Sequence, residues 1–216
     1  DLSGLSDYQQ RYAKPVEKTR HWAHTNRHIG LTETIRRIHP TILIGTSTDH
    51  DAFTQQVVEE MCREVERPII MPLSNPTEKI EAMPADVIAW SKGKALVSVG
   101  IPVAPFHYEG TRYEIGQGNN ALLYPGLGLG VIVSGAERVS ARMIRAAAEA
   151  VASQVDPRPA GSSLLPAVEN LRASSATVAV AVVQAAIEEG LATKKPSNVV
   201  QAVQDAMWWP HYPPVG

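Results

Sequence analysis

TILIGTSTDHDAFTQQVVEEMCREVERPIIMPLSNPTEK, residues 41–79, decides the fold. Its first five residues, Thr41 to Gly45, are an apolar run of the kind that fills a parallel sheet buried on both faces, and they break into Thr46-Ser-Thr-Asp-His-Asp51. From about Thr54 to Glu66, Val57, Val58, Met61, Cys62 and Val65 recur with the spacing of a helix that has one buried stripe, and Pro68 closes it. Ile69 to Leu73 is then a second buried strand. Strand, helix and strand in this order imply a right-handed crossover and parallel pairing.

Working outward, Pro84 starts a short helix carrying Val87, Ile88 and Trp90, and Ala95 to Gly100 makes a third strand. Upstream, Thr32 is placed to cap a helix with Ile35 and Ile38 on one face, ended by Pro40. The first thirty residues have broken, polar periodicity and read as a connecting segment. Phe106 to Gly110 and Arg112 to Ile115 form a small hairpin around Glu109-Gly110. Helical segments follow at 120–135, 140–154, 174–190 and 197–207, and the tail Trp208 to Pro214 is too rich in proline for a helix interior. The fold class is therefore α/β: a Rossmann-like parallel sheet, partial and representing the later half, with helices on both faces and a carboxy-terminal helical segment. The expected division is 1–155 for the sheet-containing part and 156–216 for the helical segment, packed on it or on a partner subunit.

Composition narrows the function. Lys and Arg number 20 against 22 Asp and Glu, a net charge of −2 with the signs interspersed, so no basic nucleic-acid footprint is present. With 44% hydrophobic and 19% charged residues the chain has material for a packed core. The longest nearly apolar stretch, Asn120 to Ser134, is shorter than the ~20 residues of a membrane span, so no anchor is expected. The single Cys62 cannot form an internal disulfide, which fits a reducing, cytoplasmic setting. The chain opens at Asp1 without Met, and a larger functional unit is expected.

Ligands of parallel α/β sheets bind outside the carboxyl ends of the strands, which selects three loops. Gly45-Thr46-Ser47-Thr48-Asp49 offers backbone N–H groups and hydroxyls to a cofactor or anion, or simply caps the next helix. Leu73-Ser74-Asn75-Pro76 sets an amide at a strand end, with Pro76 restricting Asn75 to extended geometry; an Asx-turn explains the same residues. In Ile115-Gly-Gln-Gly-Asn119-Asn120, two glycines permit close backbone approach, and one Asn can cap a helix while the other points into a cleft. Elsewhere the plainer reading is preferred. Gly126, Gly128 and Gly130 follow no strand and suit close helix packing. Asp49, His50 and Asp51 read as a solvated turn, and Cys62 as core. His107 and His211 have no partner by spacing, and no nucleophile elbow is visible.

Three stretches taken in order, IGTSTDHDAFT from Ile44, ERPIIMPLSNPTEKIEA from Glu66 and IGQGNNALLYPGLGLGVIVSGA from Ile115, resemble the malic enzyme family from about Asp7 to Tyr212. The resemblance implies the carboxy-terminal part of such an enzyme. Gly45, Thr46, Ser47, Thr48, Leu73, Ser74, Asn75 and Asn119 then match positions along an NAD cofactor, and Asn75 and Asn120 match amides that contact L-malate. It also implies that the catalytic Tyr and Lys, the acidic ligands of Mn2+ or Mg2+ and the pyrophosphate-binding turn lie upstream of Asp1, that the fragment alone is inactive, and that the complete enzyme is a dimer or tetramer. The family often has Gly near 49–51, where this chain has Asp49, His50 and Asp51. Gly45 to Thr48, Gly100 to Pro102, Asn120 to Pro125 and Val178 to Ala181 look more like malolactic enzymes, which release lactate, than oxidative malic enzymes, which release pyruvate and NADH. A truncated, non-catalytic dinucleotide-binding module is the alternative from another class. The apolar helix 174–190 and the aromatic tail are expected at a subunit contact.

Overall fold

The computed structural model describes residues 4–22 and 28–209. The opening is not wholly irregular. Single-turn helices α1 (Asp7–Gln10) and α2 (Val16–Thr19) interrupt it, the first held by reciprocal bonds between Ser6 and Gln9. Helix α3 (Leu31–Ile38) starts two residues earlier than a cap at Thr32 implies: Gly30 is the cap, its carbonyl accepting from the Thr34 amide. Ile35 is buried, but Ile38 is 58% exposed and does not share its face.

The strand and helix pattern of residues 41–100 then appears: β1 (Ile42–Gly45), α4 (Gln55–Glu64), β2 (Ile69–Pro72), α5 (Pro84–Trp90) and β3 (Leu96–Val99). Thr54 caps α4 by accepting from Val57 N at 3.4 Å, and Pro84 opens α5 where its missing N–H costs nothing. The hairpin is β4 (Phe106–Tyr108) and β5 (Thr111–Tyr113), with Glu109 and Gly110 both at positive φ, as a two-residue hairpin turn requires. A short strand, β6 (Gly116–Gln117), follows where only a loop is legible in the sequence. The sheet order is β1-β2-β3-β6, all parallel.

One face of this sheet is well covered. Leu43, Ile70 and Val97 lie in register and join a core with Ile35, Val57, Val58, Met61, Val87 and Ile88. The other face is bare at β1: Ile42 and Ile44 are 50% and 58% exposed, whereas Met71 beside Ile44 is half-buried and Ser98 on β3 is buried. The expectation that β1 is buried on both faces therefore fails, because nothing among the described residues pairs with its free edge or covers that face.

Helices α6 (Tyr124–Ser134), α7 (Ala141–Ala152) and α8 (Leu171–Glu188) build a second core around Met143, Ala147, Val178, Val182 and Ala186, and α9 (Val199–Ala206) packs Val203 against Ala179 and Val183 of α8. Gly126 and Gly130 let α6 approach α8: a Cβ on either would come within 2.6 Å of Val178 or Val182. Gly128 faces open space, so the packing reading holds for two of the three. Among the described residues, Val168–Glu188 is the one helix long and apolar enough to cross a membrane, so the longest apolar stretch is not 120–134. Its buried residues, Val178, Ala179, Val182, Val183, Ala185 and Ala186, face neighbouring helices of the same chain, which accounts for the apolarity expected at a subunit contact. Of the tail, Trp208 and Trp209 are exposed, with the Arg172 guanidinium 3.6 Å from the Trp209 ring centre; residues 210–216, including His211, lie outside the described residues.

Candidate site at the carboxyl edge of the sheet

Because all four strands run parallel, Gly45, Pro72, Val99 and Gln117 end at one edge, and the three candidate loops emerge side by side there. The first two are tied directly, since Thr48 N donates to Ser74 Oγ at 3.0 Å and Leu73 N to the Gly45 carbonyl at 2.9 Å. The second and third meet around Gly100 and Gly118. A Cβ on Gly100 would lie 2.0 Å from the Leu73 carbonyl oxygen, and one on Gly118 would lie 2.9 Å from a Leu73 methyl. Gln117 reaches back to donate to the Gly100 carbonyl at 3.1 Å.

Within this rim Gly45 and Ser74 are buried, Leu73 is half-buried, and Thr46, Ser47 and Thr48 are exposed. Asn119 caps the turn Asn120–Leu122, its Oδ1 accepting from Ala121 N at 2.9 Å. Asn75 and Asn120 are exposed, and neither side chain hydrogen-bonds within the described residues. Of the pair 119–120, Asn119 is the capping amide, and the Asn120 side chain stands exposed. Thr48 and Asp51 sit at φ +59°, a left-handed geometry that is strained for a β-branched residue such as Thr48. His50 Nδ1 lies 3.1 Å from the Ile80 carbonyl and its Nε2 lies 3.5 Å from Asp51. Among the described residues no three His, Cys, Asp or Glu side chains converge as metal ligands.

The residue that sequence reasoning passed over is Glu81. Completely buried, it accepts from Ser47 N (2.7 Å), Ser47 Oγ (2.8 Å), Ser74 Oγ (2.5 Å) and Ser74 N (3.2 Å). Burial pushes its pKa up, but the bonds from the Ser74 and Ser47 hydroxyls and from backbone N–H groups outweigh that, holding the carboxyl below its ordinary range. The only trace in the sequence is an acid between two apolar neighbours, Ile80 and Ala82. Gly100 was also missed as a contact, because a close approach between two strand ends has no local pattern.

Comparison with known proteins agrees with this architecture. Residues 1–187 match the family model described as malic enzyme, NAD binding domain. A putative malate oxidoreductase [NAD] of Mycobacterium tuberculosis is 50% identical over 98% of this chain, and a malolactic enzyme of Lactococcus lactis is 42% identical over 98%. The chain spans only 38% and 39% of those relatives' lengths. The crystal structure of a malic enzyme from Pyrococcus horikoshii superposes with a TM-score of 0.64 at 26% identity, over 82% of this chain and 36% of that one. With a Rossmann-like parallel sheet, three loops converging at its carboxyl edge and a family match across most of its length, the chain belongs to the malic enzyme family and carries its NAD-binding domain.

Proposed function

We propose that this chain is the carboxy-terminal NAD-binding portion of an enzyme that decarboxylates L-malate. Gly45, Thr46, Ser47, Thr48, Leu73, Ser74 and Asn119 line the NAD position, and the amides of Asn75 and Asn120 orient malate. The observation that carries this reading is the pair of exposed amides that have no hydrogen-bond partner among the described residues, set in adjoining loops beside glycines that admit close approach. An amide supplies both donor and acceptor, which suits a hydroxy acid. When bound, NAD supplies a hydride acceptor; the residues of this chain bind, orient and exclude water. Residues 1–155 continue the cofactor domain and 156–216 close it as a helical segment packed on it.

In this reading the catalytic acid and base and the ligands of Mn2+ or Mg2+ come from the remainder of a longer chain, which also covers the bare face of β1. Two features support it: the relatives are more than twice as long, and Ile42 and Ile44 lie exposed where a Rossmann-like sheet continues. By itself the chain is inactive; self-association as a dimer or tetramer and a cytoplasmic location belong to the same proposal.

The oxidative product, pyruvate with NADH, is placed first because the 50% identical relative is named as an oxidoreductase. The malolactic product is the second reading, favoured by Gly45 to Thr48, Gly100 to Pro102 and Asn120 to Pro125. Supplying the complete enzyme with L-malate, NAD and Mn2+, and assaying NADH, pyruvate and lactate together, separates them. Pyruvate with stoichiometric NADH supports the first, lactate without NADH the second, and no malate consumption refutes both.

A further inference from the structure

We propose that Glu81 is a positioning residue of this site: a buried carboxylate that sets the spacing of the two loops carrying Ser47 and Ser74, and through them the cofactor-facing backbone and Asn75. The proposal deepens the reading above and rests on it.

The two loops come from different strands, β1 and β2, and each donates one amide and one hydroxyl to the same side chain. An ionised carboxylate accepts at both oxygens and donates nothing. Four donors from two loops therefore suit Glu81 and would not suit an amide, whose NH2 would confront a backbone N–H. No Lys, Arg or His pairs with Glu81 among the described residues. Its charge is satisfied entirely by groups of the rim.

The rest of the rim is arranged around this contact. Gly45 has no side chain where a Cβ would lie 2.6 Å from the Glu81 carboxyl carbon. Ser74 Oγ, aimed at Glu81, keeps its lone pairs for Thr48 N, which holds Thr48 in its left-handed backbone; Ser47 Oγ likewise accepts from Asp49 N at 3.1 Å. The Glu81 carbonyl accepts from Phe53 N at 2.9 Å and so anchors the far end of the first loop. Asn75 directly follows the doubly anchored Ser74. Removing the carboxylate releases both serine hydroxyls, then Thr48 and Asn75, and a displacement of about 1 Å at such groups is enough to cost on the order of a hundredfold in rate.

The test uses the complete enzyme carrying Glu81→Gln, with Met61→Ala as a control that weakens the same core away from the rim. Melting temperature, NADH affinity by fluorescence, and kcat and KM for malate are read at a temperature where every variant is folded. Glu81→Gln is expected to weaken NADH binding and lower kcat/KM about tenfold or more, while Met61→Ala, with a comparable melting loss, changes each by less than about twofold. Glu81→Asp, which keeps the charge with a shorter reach, is expected to recover part of the loss. Wild-type constants in Glu81→Gln, or equal losses in both variants, overturn the proposal. If Glu81→Gln does not fold, Ser74→Ala replaces it, and unchanged constants there overturn the proposal equally. Asn75→Ala and Asn120→Ala run in parallel: if neither alters malate kinetics, the reading of the rim itself fails, whereas a loss there with none at Glu81 defeats this inference alone.

Discussion

The side chains of the rim divide into those held by the protein and those left for a ligand. Asn75 and Asn120 are exposed and their side chains make no hydrogen bond among the described residues, so their loss should leave folding intact. Alanine at either is expected to leave the melting temperature unchanged while lowering kcat/KM for malate about ten- to a hundredfold, the range for one hydrogen bond to a charged group. Thr48 is strained at φ +59°, and Thr48→Gly is expected to stabilise by about 1 kcal/mol in denaturant titration. Glu81 gives a pH signature. Its folded pKa is below the ordinary value, so it stabilises the fold above the unfolded value of about 4.3, and that contribution is lost as pH falls through the lower, folded pKa. Melting curves of the wild type and Glu81→Gln should therefore keep a constant gap near neutrality and converge below about pH 4. Glu81 was illegible in the sequence because its four partners come from positions 47 and 74, joined only by folding.

At the scale of elements, long apolar runs were readable and short or mixed ones were not. Residues 42–45, 69–72 and 96–99 announced themselves as strands, whereas β6 is only Gly116-Gln117, which carries no pattern and pairs because Ser98 and Val99 are already in place. Helix α8 starts at Leu171, three residues before the expected 174, so that Ser174 and Ser175 lie inside its first two turns. Both are buried, and Ser174 Oγ donates to Gln154 on the segment after α7 at 2.7 Å. The α6 and α8 pairing gives an internal control on one helix. Gly126→Ala and Gly130→Ala set a Cβ against valine side chains and the Ser175 and Ala179 carbonyls, and each is expected to cost about 1–3 kcal/mol. Gly128→Ala meets nothing within 4 Å and should gain about 0.5–1 kcal/mol from helix propensity. Opposite signs in urea unfolding would verify the packing; equal effects would reject it.

Across the whole molecule, one sheet face and the helical cluster are covered by the chain itself, while among the described residues β1 is paired on one side only. Hydrogen exchange should report this: in the chain alone, amides of 42–45 exchange faster than those of 69–72, and in a longer protein that continues the sheet the difference disappears. Persistence of fast exchange in the longer protein would refute the proposed continuation. The fold class was legible because alternating strands and helices constrain topology strongly. The bare face was not, since Ile42 and Ile44 read the same whether they meet a helix or water.

That bare strand has a practical consequence. A free parallel edge lined with Ile42 and Ile44 is a template for any other extended chain, and expressed by themselves these 216 residues would be prone to aggregate, copy joining copy along β1. A charge set into the strand is a natural remedy for such an edge. Ile44→Lys should raise the soluble yield of the isolated chain, while in a protein that continues the sheet the same lysine would be a buried, unpaired cation.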